Sequence, residues 1–155
     1  YFVPAELSIA RDEGLTVFSA IEELDGTEIK GNILSLGKTY RQRVILSTAI
    51  RRTYVALTAP VPSGAEITDT SIAATGSHDE WTQPENSDMY QPPVEQIFDD
   101  RVVYYLDRVA PGRIEIAFLF RATTAGVFPT PPTQAECMYE PEVFGRSDGR
   151  LYIIR

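Results

Sequence analysis

The nine residues Ile114-Glu115-Ile116-Ala117-Phe118-Leu119-Phe120-Arg121-Ala122 alternate so regularly that they favour one backbone geometry. In an extended chain, Ile114, Ile116, Phe118, Phe120 and Ala122 fall on one side, and Glu115, Ala117, Leu119 and Arg121 on the other. A helix would scatter that apolar set around its circumference, whereas a β-strand collects it on one face. The same period of two recurs in Val44, Leu46, Thr48 and Ile50, in Val55, Leu57 and Ala59, and in Val102, Tyr104 and Leu106. It is weaker from Leu15 to Ile21, and Leu151 and Ile153 close the chain in the same way. Turn-forming residues fall between these runs: Asp25-Gly26, Leu36-Gly37-Lys38, Pro60-Val61-Pro62-Ser63-Gly64, Pro111-Gly112 and Asp148-Gly149. The eleven prolines lie mostly outside the strand runs, as a ladder that needs its N–H donors requires. The expected fold is therefore all-β, an antiparallel β-sandwich with its core between two sheets.

One stretch lacks this rhythm. Residues 71–97 are polar, contain Pro84, Pro92 and Pro93, and leave room for one short helix. From Ser71 to Asp100 there are seven acidic residues and no Lys or Arg, which reads as a solvated acidic face. The spacing of these acids does not match a calcium loop, in which one turn directs several oxygens at a single ion. Asp99-Asp100 reads as the turn that leads into the strand of Arg101 and Val102.

Composition narrows the possible functions. A formal net charge of -8 repels phosphate backbones, so nucleic acid is not an expected partner. The one cysteine, Cys137, rules out an internal disulfide, and one Cys with one His is a poor start for a zinc site. No cofactor is expected. His78, the one histidine, would have to serve any Ser-His-Asp or Cys-His arrangement, and it lies in the acidic stretch. Nothing in the sequence matches a nucleophile elbow, a phosphate-cradling glycine loop or a His-Glu-x-x-His pair, so an enzyme is not expected. Cys137 reads as a small, semi-buried side chain near a strand end. No apolar run approaches the roughly 18 residues that span a bilayer. The chain opens at Tyr1 with no initiator Met or leader-like segment, as a fragment or processed product would.

The most specific stretch runs from Arg121-Ala122-Thr123-Thr124-Ala125-Gly126 through Pro131-Pro132 to Ala135-Glu136-Cys137-Met138-Tyr139-Glu140-Pro141. It resembles the C-terminal macroglobulin-like domain of bacterial alpha-2-macroglobulins, with its Arg-Ala-Thr-Thr-x-Gly strand and its Ala-Glu-x-Met-Tyr-x-Pro segment. Leu36-Gly37-Lys38 and Val61-Pro62-Ser63-Gly64-Ala65-Glu66 are similar to two further segments of that family, with Ser63 and Ala65 as departures. The resemblance covers roughly Leu15 to Ile154. It implies a macroglobulin-like, immunoglobulin-like sandwich over 15–155, with residues 1–14 as a connecting segment or edge strand.

The resemblance further implies a non-catalytic module of a large periplasmic or extracellular protease inhibitor, whose membrane contact, if any, is an anchor on the parent. Its partners would be neighbouring domains of the same polypeptide, above all a thioester domain, with proteases met through the parent. Carried over by motif, Met138 and Tyr139 would shield the thioester from water until a bait region is cut. Cys137-Met138-Tyr139-Glu140 does not itself match the Cys-x-Glu-Gln of a thioester. Two other readings of these residues stand beside this one. Met138 and Tyr139 could be ordinary core at a strand end. The chain could also be an extracellular adhesion or carbohydrate-binding sandwich that uses Trp81 and the acidic stretch.

Overall fold

The computed structural model describes residues 9–70, 75–76 and 94–155, and every regular element among them is a strand. In chain order these are β1 (Arg11–Glu13), β2 (Thr16–Glu22), β3 (Ile33–Leu34), β4 (Thr39–Thr48), β5 (Arg52–Pro60), β6 (Ala65–Asp69) and β7 (Thr75–Gly76). There follow β8 (Val94–Ile97), β9 (Arg101–Val109), β10 (Gly112–Ala122), β11 (Gly126–Thr130), β12 (Gln134–Cys137), β13 (Glu140–Arg146) and β14 (Arg150–Ile154). The residues expected to alternate build the two main sheets. One sheet has the order β1-β13-β12-β5-β9-β8, and the other β2-β4-β10-β6, with β7 also paired to β10.

β10 is the spine of the second sheet. It pairs with β4 from Gly112↔Thr48 to Arg121↔Thr39, and this register sets Ile116 opposite Val44 and Ile114 opposite Leu46. The predicted inward set of β10 is buried, as are Val55, Leu57 and Ala59 of β5 and Val102, Tyr104 and Leu106 of β9. These residues of both sheets join one continuous core, with Tyr40 packed 6.0 Å from Phe120 between ring centroids. On the second sheet, Glu22 is buried beside Arg41 (2.6 Å) and Arg43 (4.0 Å), and Arg43 reaches Glu115 at 3.6 Å. Opposite charges on neighbouring strands thus tie β2, β4 and β10 together.

Three details differ from the expectation. There is a third sheet, β11-β14-β3, and its β14–β3 pair is parallel. On β14, Tyr152 and Ile154 are buried while Leu151 is exposed, so the inward face is the opposite of the expected one. Ile50 lies past the end of β4 and is exposed. The short helix considered for 71–97 falls largely outside the described residues, as do His78 and Trp81.

The three segments that carry the family resemblance meet at one corner. Gly37 N–H donates to Ala122 C=O at 2.7 Å, and Ala122 N–H donates to Lys38 C=O at 3.1 Å. Gly64 C=O accepts from Thr123 N–H (2.8 Å), Thr124 N–H (3.0 Å) and the Thr123 hydroxyl (3.1 Å). A side chain at Gly64 would come within 2.4 Å of the Phe128 ring, so this close approach requires glycine.

Candidate functional site

The site is built on β12, a short strand held on both sides. Its register against β5 runs from Gln134↔Thr58 to Cys137↔Val55, and Met138 N–H extends the ladder by donating to Tyr54 C=O at 2.8 Å. Against β13, Cys137 pairs with Glu140, which leaves Met138 and Tyr139 as a two-residue turn. Beyond the turn the pairing slips, so that Glu136 faces Phe144 and Pro141, Glu142 and Val143 form a bulge without partners on β12. Val143 packs against the core and secures the bulge from below.

Met138 is 42% exposed and Tyr139 is 79% exposed, so neither is part of the core. That overturns the reading of the pair as strand-end packing. The Tyr139 ring is not free to wander: it meets the Tyr54 ring edge-on, with centroids 5.2 Å apart and planes at 88°. This T-shaped contact matches the ring quadrupoles, positive edge to negative face. Tyr54 is itself 48% exposed, so the two rings form an exposed apolar pair next to the exposed Met138.

Tyr54 has φ 53°, a left-handed conformation uncommon for a bulky residue. Its neighbours on β5 pair regularly with β9, Thr53↔Arg108 and Val55↔Leu106, and Tyr54 is passed over between them. Sequence reasoning did not single out Tyr54. Alternation places its side chain away from the Val55 face, but nothing local signals a left-handed backbone or a partner as distant in the chain as Tyr139.

Behind the patch, Cys137 is buried at the end of β12. Burial pushes its thiol pKa up, the Arg52 guanidinium pulls it back, and Glu140 and Glu142 push it up further. A thiol held in that state is a poor nucleophile at neutral pH. Arg52 fills the space beside Gly14, where a Cβ would come within 2.9 Å of its Nη2. Among the described residues, no group of three His, Cys, Asp or Glu side chains is placed to hold a metal ion. The geometry at the turn is suited to contact: a fixed apolar surface, edged by the exposed carboxylates of Glu140 and Glu142.

Comparison with known proteins bears on the family and the fold. The family model for the bacterial alpha-2-macroglobulin MG10 domain matches residues 14–142. An alpha-2-macroglobulin homolog from Nostoc sp. is 31% identical over 88 residues, covering 57% of this chain and 4% of that protein. The alpha-2-macroglobulin of Xylella fastidiosa is 26% identical over 154 residues, covering 96% of this chain and 9% of that protein. The native conformation of Escherichia coli alpha-2-macroglobulin superposes with a TM-score of 0.76 at 20% identity, over 95% of this chain and 10% of that one. Salmonella alpha-2-macroglobulin reacted with methylamine gives 0.74 at 20% identity, over 94% and 9%. The chain therefore spans under a tenth of the curated relatives it matches. A family match across most of the chain, with the same all-β fold in the solved relatives, makes it a member of the bacterial alpha-2-macroglobulin MG10 domain family.

Proposed function

We propose that this domain is a non-catalytic part of a larger alpha-2-macroglobulin-like protease inhibitor, and that Met138 and Tyr139 cover a thioester in a neighbouring domain. The observation that carries the reading is the turn itself. Two large apolar side chains stand in solvent at a position fixed by the sheet, where a solitary domain gains nothing from exposing them. Residues 15–155 form the domain, and residues 1–14 are a connecting segment or edge strand, of which Arg11–Glu13 pairs with β13. The parent is periplasmic or extracellular and meets proteases through its other domains.

The chemistry suits the assignment. A thioester is lost when water or an amine reaches its carbonyl, so a dry, closely fitting cover prolongs its life. Methionine adapts to an irregular surface through its flexible, polarizable thioether. Tyrosine adds a broad, stiff face. The Salmonella relative has been captured reacted with methylamine, and Escherichia coli relatives activated by elastase and by trypsin. An amine-sensitive group and a protease-driven change of state are what such a cover would serve.

The test uses the full-length polypeptide that contains this domain. Replacing both side chains (Met138→Ala with Tyr139→Ala) removes buried apolar contact worth about 1.5–3 kcal/mol for each large side chain. The uncovered population should then rise about tenfold or more. Methylamine should consume the thioester correspondingly faster, read as the rate at which free thiol appears before any protease is added. An unchanged rate would remove the covering role.

A further inference from the structure

Two interactions of Tyr54 go to the two residues of the turn. Its backbone carbonyl accepts from Met138 N–H at 2.8 Å, and its ring stands edge-on to Tyr139 at 5.2 Å. It does so from φ 53°, within a strand whose flanking residues keep a regular register with β9. In ordinary extended backbone the carbonyl lies in the plane of the sheet and the side chain stands off its face. A bulky residue adopts the left-handed region only where its surroundings impose it, and such positions gather at binding and active sites.

We infer that Tyr54 is a positioning residue for the Met138–Tyr139 turn: its left-handed backbone lets one residue hold the amide of Met138 and brace the ring of Tyr139. The inference deepens the covering role proposed above and rests on it for its biological meaning, though its geometric content stands alone. The patch offered to the neighbouring domain is then a three-residue surface, arranged before contact. A partner that meets a preset surface does not have to order it, so less of the contact energy is lost on docking. The tyrosine at 54 is the element that local sequence rules would not select, because glycine or asparagine adopts this backbone at lower cost.

The test separates ring from backbone. Tyr54→Asn keeps a residue that tolerates the left-handed region but removes the ring, while Tyr54→Phe keeps the ring and removes only the hydroxyl. In this chain, amide hydrogen exchange by NMR should show Met138 exchanging roughly fivefold faster or more in Tyr54→Asn. Tyr54→Phe should match the parent sequence, and the Val55 and Leu57 amides, paired inside the sheet, should stay protected in both variants. Equal Met138 protection in Tyr54→Asn and the unaltered chain would overturn the positioning role.

The methylamine assay on the full-length polypeptide keeps the two ideas apart. If Met138→Ala with Tyr139→Ala leaves amine sensitivity unchanged while Tyr54→Asn frees the Met138 amide, the cover falls and the positioning role stands. If the double variant is sensitive but Tyr54→Asn leaves Met138 fully protected, the cover stands and the positioning role falls.

Discussion

Cys137 immediately precedes the exposed turn, yet only 4% of it reaches solvent. Its thiol pKa is raised, first by burial and then by Glu140 and Glu142, against the opposing pull of Arg52. Ellman's reagent at pH 8 should therefore label the folded chain roughly a hundredfold more slowly than the chain in guanidinium. Comparable rates would mean that the end of β12 is open. Residues differ in how far local pattern exposes their role. Cys137 is legible as a small buried side chain, since its run matches no reactive motif. Met138 and Tyr139 are legible through the ordered family motif around them, whereas their exposure needed the fold: a strand end is compatible with core or surface. Tyr54 is legible in neither way, because its meaning comes from a neighbour brought in by β12.

At the scale of elements, strict alternation located β4, β5, β9 and β10 and their buried faces, since each offers one apolar side and one mixed side. β14 escapes that logic. Leu151, Tyr152, Ile153 and Ile154 are apolar on both faces, so period two cannot choose between them, and pairing with β11 and parallel β3 makes the choice instead. β13 hides a different constraint. Gly145 is paired with Asp12 on one side and Ala135 on the other, and a Cβ there would lie 2.0 Å from the Leu15 carbonyl oxygen. Backbone cannot yield as a side chain does. Gly145→Ala should lower stability by about 3 kcal/mol or more, seen as an earlier urea midpoint. A midpoint within error of the unaltered chain would mean that β1 and the start of β2 pack less closely than described. The corner where Gly37 bonds to Ala122 and Gly64 to Thr123 lies beyond the end of β5 opposite to Tyr54. Much of the family resemblance thus records a structural junction, and the contact role proposed here rests on the Met-Tyr pair alone.

For the whole molecule, the described titratable groups with raised acid pKa values point to weakness at high pH. Burial raises both Tyr104 and Tyr152 above the ordinary value of 10.0. Above that pH the unfolded chain releases protons that the folded chain retains, so stability is fully present below it and declines as pH rises beyond. Among the described residues, the buried Tyr104 hydroxyl has no hydrogen-bond partner. Tyr104→Phe should leave stability at pH 7 unchanged or slightly higher and make the decline above pH 10 shallower, as urea melts across that range would record. A loss of more than about 1 kcal/mol at pH 7 would mean that the hydroxyl is satisfied. The two-residue turn has a mechanical consequence. It joins strands in the interior of a six-stranded sheet and is hydrogen-bonded across to β5, so it has almost no slack. Such a projection cannot peel away from an opposing surface one residue at a time. If it covers a neighbouring domain as proposed, it must lift with the sheet as a single piece, so that detachment would be an all-or-none displacement of the domain, driven by whatever pulls on its strands.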